Sequence, residues 1–205
     1  MRIQLTNASK KYNRDSIFKN ANINFQSGET HAIVGSNGSG KSTLLQIIAG
    51  GIALSKGSIE WKCVDKDIDT EKVYSYLSIA APYVEVIEEM TALEFLDFHF
   101  KFKPIFNGFS SKEILAIVGL EKAETKQIRH FSSGMKQRIK LAQAFFSDVP
   151  LLLLDEPCTN FDKKGYELYH YLISTFTNNK TVIVSSNDVN EYSFCKNIIN
   201  MMDFK

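Results

Sequence analysis

Cysteine is scarce: Cys63, Cys158 and Cys195 are the only three in 205 residues, an odd number with no Cys-x-x-Cys pair. That count argues against a disulfide framework and against a zinc ribbon. Charge of one sign is also lacking, with 24 basic side chains against 23 acidic and a net charge of +1. No global electrostatic footprint for nucleic acid or acidic lipid follows from such a balance. Long apolar runs are missing too. The longest aliphatic stretch is Leu151 to Leu154, far from the roughly 20 residues of a bilayer-spanning helix. Met1-Arg2-Ile3-Gln4 carries one Arg with no apolar run behind it, so no secretory signal is expected and the cytoplasm is the expected address. Only 4 Pro and 11 Gly occur, with no Ser/Gly or Pro tract to mark a linker and no internal repeat. What the chain does have is 44% hydrophobic residues, and a chain of this size buries roughly 70% of the surface its unfolded form exposes.

Periodicity places short strands near Ile3 to Leu5, Ile23 to Phe25 and Thr30 to Val34, a helix over Ser42 to Ala49, and strands over Gly57 to Trp61 and Val73 to Ile79. From Thr91 to Leu120 the pattern turns helical. Thr91 and Ser110 read as N-caps, with Glu94 and Glu113 three residues on as capping-box partners. A helix over Ser133 to Phe146 then leads into a buried strand, Leu151 to Leu154, followed by helix Lys164 to Phe176 and strand Thr181 to Ser185. Helices alternating with β-rich apolar runs predict an α/β fold with a mostly parallel sheet covered on both faces. The expected organisation is a single domain over 1–205, with a core of 1–80 and 131–205 and an inserted helical lobe at about 81–130.

Between the strand His31 to Val34 and the following helix lies Gly35-Ser36-Asn37-Gly38-Ser39-Gly40-Lys41-Ser42-Thr43. This is the Gly, four residues, Gly-Lys-Ser/Thr pattern of a phosphate-binding loop, in the strand-to-helix context that its mechanism requires. Glycines let successive backbone N–H groups converge on one anion, and the helix N-terminus adds a positive end. Lys41 would reach the β and γ phosphates of ATP, and the Ser42 hydroxyl would ligate Mg²⁺. The complementary half is a buried strand ending in carboxylates, Leu151-Leu152-Leu153-Leu154-Asp155-Glu156-Pro157. Asp155 is placed to hold the magnesium shell, and Glu156 to polarise an attacking water.

Phe131-Ser132-Ser133-Gly134-Met135-Lys136-Gln137-Arg138, between those two elements, is similar to the Leu-Ser-Gly-Gly-Gln signature of the ATP-binding cassette (ABC) transporter ATPases. The chain resembles that family's nucleotide-binding subunit over nearly its whole length. A serine and a glycine opening a helix make a second anion site, so Ser132, Ser133 and Gly134 join the candidate nucleotide contacts. The resemblance implies a P-loop NTPase (RecA-like) core with N-terminal antiparallel strands and a helical subdomain. It also implies a head-to-tail dimer that sandwiches ATP, a second cassette that is an identical copy, and a separate integral membrane permease. Nucleic acid is not an expected partner. Tyr12 lies where the family's adenine-stacking aromatic lies, and Thr159-Asn160-Phe161-Asp162 is similar to its D-loop, which adds Asp162.

Two family residues are missing. No glutamine occurs between Gln46 and Gln127, although the family places one after the strand ending near Ile79; Ser78 and Ala81 stand nearby and cannot replace an amide that reaches metal. No histidine lies beyond His170, and Asn187 occupies the place of the family's γ-phosphate-sensing histidine, able to donate hydrogen bonds but not to carry charge. Binding of Mg-ATP with slower hydrolysis is the expectation. The competing reading is a nucleotide-dependent switch with little turnover, acting on a non-membrane partner. In the lobe, Leu93, Leu96 and Phe100 form one apolar stripe and Phe95, Phe98 and Phe102 a second; the second is either interior or left for a partner. Glu85, Glu88 and Glu89 form either a solvated run or an acidic rim.

Overall fold

The computed structural model describes all residues, 1–205. In chain order the elements are β1 (Arg2–Tyr12), β2 (Asp15–Phe25), β3 (Thr30–Val34), α1 (Lys41–Ile48), β4 (Lys56–Cys63), β5 (Lys66–Asp67) and β6 (Leu77–Ala80). They continue as α2 (Ala92–His99), α3 (Ser111–Ile117), α4 (Ser133–Phe145), β7 (Leu151–Asp155), α5 (Lys163–Phe176), β8 (Thr181–Ser185), α6 (Val189–Tyr192) and β9 (Asn197–Asn200). The backbone divides into two compact units: Met1–Leu77 with Pro150–Glu156 and Asn179–Lys205, and Ser78–Val149 with Pro157–Asn178.

The first unit holds an antiparallel sheet in the order β2-β1-β4-β5, and the parallel strands β7-β8-β3-β9. β7 and β8 read as unbroken apolar runs because both faces are covered: Leu151 to Leu154 and Val182 to Val184 have no exposed surface. Each such leucine contributes roughly 1.5–3 kcal/mol of burial free energy. β1 and β2 are longer than the three-residue stretches expected. Their alternation is broken by Asn7 in β1 and Asn20 in β2, both in left-handed conformation, and the pairing register shifts at several points. A period-2 search loses a strand at each such bulge.

Val73 to Ile79 is not one strand. Thr70–Tyr76 is a 3₁₀ helix and the strand starts only at Leu77. β-branched and aromatic residues favour strand, but only Val73 of this segment is buried, and local bonds win: Lys72 N to Asp69 O at 2.9 Å and Ser75 Oγ to Lys72 O at 2.7 Å.

The second unit is larger than a lobe of about 81–130, since α4 and α5 cluster with it. Aromatic rings explain the grouping. Phe106, Phe109, Phe146 and Phe176 meet edge-on or tilted at centroid distances from 4.6 to 6.3 Å, joining residues far apart in sequence. Both capping boxes form as expected: Thr91 Oγ1 accepts from Glu94 N while Glu94 accepts from Thr91 N, and Ser110 pairs with Glu113 in the same way. The second apolar stripe is split. Phe95 is buried, whereas Phe98 and Phe102 are exposed and pair edge to face at 5.1 Å.

Candidate functional site: a phosphate-loop cavity

β3 delivers the chain into a loop whose shape depends on glycine. Gly40 has φ +102°, and a Cβ there would overlap Ile17 Cγ2. Gly38 has φ +78° with open space on its Cβ side, so backbone is left accessible where an anion would sit. α1 then starts at Lys41 with no side-chain cap and no acidic residue in its first turn. Its leading N–H groups are therefore left for a ligand. Lys41 is buried, and its Nζ donates to Gly35 O at 2.8 Å and Ser36 O at 3.4 Å, which keeps the ammonium against the loop.

Asp155 closes β7, 2% exposed. Burial pushes its carboxyl above the ordinary carboxylate range, opposed by the Ser185 and Ser42 hydroxyls and the Lys41 ammonium. Asp155 Oδ1 and Ser185 Oγ are fully buried, and neither completes a hydrogen bond of ordinary geometry. A buried carboxylate oxygen without a donor is costly unless a cation satisfies it, and an oxygen set of Asp155 with Ser42 suits a hard divalent ion. Glu156, the next residue, has φ +45°, a left-handed conformation that costs a non-glycine residue roughly 1–2 kcal/mol. Its N–H is fixed by Ser185 O at 2.9 Å, and the residue lines a cavity of about 380 Å³ together with Ile17, Asn37, Gly38, Gly40, Lys41, Ser42 and Thr43. Strain of this kind persists where surrounding structure over-determines the backbone.

Asn187, on the loop after β8, donates from Nδ2 to Asn37 Oδ1 at 2.8 Å, so the amide at the family's histidine position touches the phosphate loop. Tyr12 is 45% exposed and does not line the cavity; Lys10 Nζ lies 4.7 Å from its ring centroid. The remaining candidates belong to the second unit. Ser132 caps α4, its oxygen accepting from Met135 N at 3.3 Å, which leaves its O–H proton to donate elsewhere. A Cβ on Gly134 would lie 3.6 Å from Asn160 O, so the signature-like turn sits against the 159–162 stretch. Asp162 caps α5 by accepting from Gly165 N at 2.9 Å.

Several contacts escaped the sequence reading. Gln137 is buried and donates from Nε2 to Pro157 O at 2.7 Å, fixing the turn just beyond Glu156; flanked by Lys136 and Arg138, it gave no local signal of burial. Ser78 is buried and donates to Ala144 O at 2.7 Å. Lys140 Nζ donates to Ala81 O at 3.3 Å and Pro82 O at 3.2 Å, with Glu85 as a favourable charge nearby, while Lys136 pairs with Glu88. Glu85, Glu88 and Glu89 are all exposed, as a solvated run would be, and of the three only Glu88 is in an ion pair, with Lys136 of α4.

The sequence profile of the ABC transporter family matches residues 18–159 of the chain. The chain belongs to the ABC transporter family. An uncharacterized ABC transporter ATP-binding protein of Bacillus subtilis (strain 168), YybJ, is 33% identical over 187 residues, covering 90% of this chain and 84% of the relative. The lantibiotic transport ATP-binding protein SrtF of Streptococcus pyogenes is 30% identical over 200 residues, 92% and 81% of the two chains. Among solved structures, the dimeric bacterial ABC transporter cassette MJ0796 superimposes with a TM-score of 0.83 at 28% identity, over 97% of this chain and 93% of that one. The same cassette in a post-hydrolysis state bound to ADP and Pi gives 0.81 at 27%. The ABC chain is therefore an ATP-binding subunit and ATPase of the α/β cassette type. None of its helices is long and apolar enough to cross a membrane.

Proposed function

We propose that this subunit binds Mg-ATP through the cavity of Gly35 to Thr43, Asp155 and Glu156, and hydrolyses it to drive a separate integral membrane permease from the cytoplasmic face. Two identical subunits would close on two nucleotides. The observation that carries the reading is the convergence of Lys41, Ser42, Asp155 and Glu156 around one loop, with Asp155 Oδ1 buried and completing no hydrogen bond of ordinary geometry. Loop N–H groups and Lys41 would hold phosphate oxygens; Ser42 and Asp155 would hold magnesium. The ion, when bound, neutralises phosphate charge and orients the oxygens. Glu156 orients water and takes its proton, and Asn187 donates a neutral hydrogen bond from its post-β8 position. Ser132 to Gly134 would contact the nucleotide of the partner copy, and Tyr12 would offer the ring face opposite Lys10 to adenine. As a cap, Asp162 shapes the stretch that faces the partner.

Without the family's glutamine and histidine, turnover is slower than in a standard cassette. Glu156→Gln should abolish turnover by at least about 100-fold while trapping a dimer with Mg-ATP on gel filtration. Asn187→His should raise the rate. A monomer both with and without Mg-ATP contradicts the sandwich, and turnover equal to a standard cassette contradicts the slow step. Co-purification from detergent-solubilised membranes tests the permease, with recovery of no integral membrane protein as the adverse result.

A further inference from the structure

The antiparallel sheet of the first unit carries a second concavity, of about 490 Å³, that shares no lining residue with the phosphate-loop cavity. Lys10, Lys11, Arg14, Lys19 and Lys56 line it, and no carboxylate does. Of 24 basic side chains against 23 acidic, five converge here, so the rest of the chain is net acidic. None of the five takes part in an ion pair. Lys10 is held by Ala53 O at 2.8 Å, and the other four are exposed.

The backbone is bent to produce this convergence. In a regular strand Lys10 and Lys11 would point to opposite faces, yet the pairing register shifts between them and both line the concavity. Asn20, left-handed at φ +49°, makes the matching irregularity beside Lys19. Bulges re-aim side chains in this way and recur next to functional sites. Hydroxyls are fixed among the cations: Ser9 Oγ accepts from Asn20 N at 2.9 Å and Ser55 Oγ from Lys11 N at 3.1 Å, and the Ser9 O–H keeps its proton for another acceptor. Uncompensated ammonium groups, a guanidinium fork and hydroxyl donors together suit phosphate oxygens.

We propose that this concavity binds a phosphate-bearing anion at a site separate from the nucleotide cavity. The phosphate comes either from an anionic lipid headgroup or from a soluble polyphosphate, and two arms of one experiment distinguish them. In a chain carrying Lys41→Ala, which silences the phosphate loop, inorganic tripolyphosphate is titrated by calorimetry. The same chain is floated with vesicles of phosphatidylcholine, with and without phosphatidylglycerol. Lys11→Gln with Arg14→Gln and Lys19→Gln should weaken binding at least tenfold, and the single change Lys56→Glu should reproduce part of the loss. Removing three cations elsewhere, Lys101→Gln with Lys122→Gln and Lys126→Gln, should change it less than twofold. Tripolyphosphate binding alone assigns a soluble anion, and vesicle binding that needs phosphatidylglycerol assigns a headgroup. Equal losses in the two triple variants, or no binding in either arm, would overturn the proposal.

Discussion

Gly40→Ala is the sharpest test of how the phosphate loop is held. The residue sits at φ +102°, and its missing Cβ is the space occupied by Ile17 Cγ2. Two costs can be separated. The backbone penalty for an L-residue there is roughly 1–2 kcal/mol, and the overlap with Ile17 adds about 1–3 kcal/mol of overpacking. Lower entropy of the unfolded chain returns about 0.4–1 kcal/mol. The net loss is on the order of 1–5 kcal/mol. Combining Gly40→Ala with Ile17→Ala removes the overlap but not the strain, so a double-mutant cycle on urea unfolding should show a coupling of about 1–3 kcal/mol, with the backbone part unrecovered. Nucleotide affinity, read with a fluorescent ATP analogue, should remain weakened in the double variant because the strained turn persists. A single variant within about 0.5 kcal/mol of the parent, or additive costs with no coupling, would refute the account of why glycine is required.

Other expectations are more local. Gln137→Leu leaves the Pro157 carbonyl without its donor and should cost about 1–3 kcal/mol, measured by urea midpoint, with ATPase lowered through kcat more than KM. Asp155 has a folded-state pKa raised mainly by burial, so the folded protein holds that proton more tightly than the unfolded chain. Stability should therefore fall as pH rises through the raised pKa in magnesium-free buffer, and Asp155→Asn should lack that decline; parallel pH profiles would contradict it. His99 is opposite in sign. Burial first and Lys103 second push its pKa from 6.5 down to about 4, so the unfolded chain protonates first on acidification. Its contribution is complete above pH 6.5 and lost towards pH 4, on the order of 3 kcal/mol in all. His99→Gln should flatten that part of the profile. Thr91→Ala, which removes a capping-box hydroxyl, should cost about 1 kcal/mol.

The features legible in the sequence were those written in short stretches. Gly35 to Thr43, Leu151 to Glu156 and the pairs Thr91 with Glu94 and Ser110 with Glu113 each encode a local geometry through residue type and spacing, and each lies where expected. Long-range choices were less legible. α5 clusters with the helical unit because Phe176 meets Phe106, Phe109 and Phe146, which no local pattern encodes. Ile17 becomes a wall of the phosphate-loop cavity only because the β1–β2 hairpin folds over Gly40. The asparagine bulges of the first two strands hid their length by defeating the alternation that reveals a strand.

The two lysines of α4 have a mechanical consequence. The segment following β6 is bound to that helix by ammonium groups, at Ala81 O and Pro82 O through Lys140 and at Glu88 through Lys136. The helix so tied opens at Ser133, with Ser132 as its N-cap. The attachment is made by side-chain ammonium groups that are partly exposed, so it should loosen as ionic strength rises.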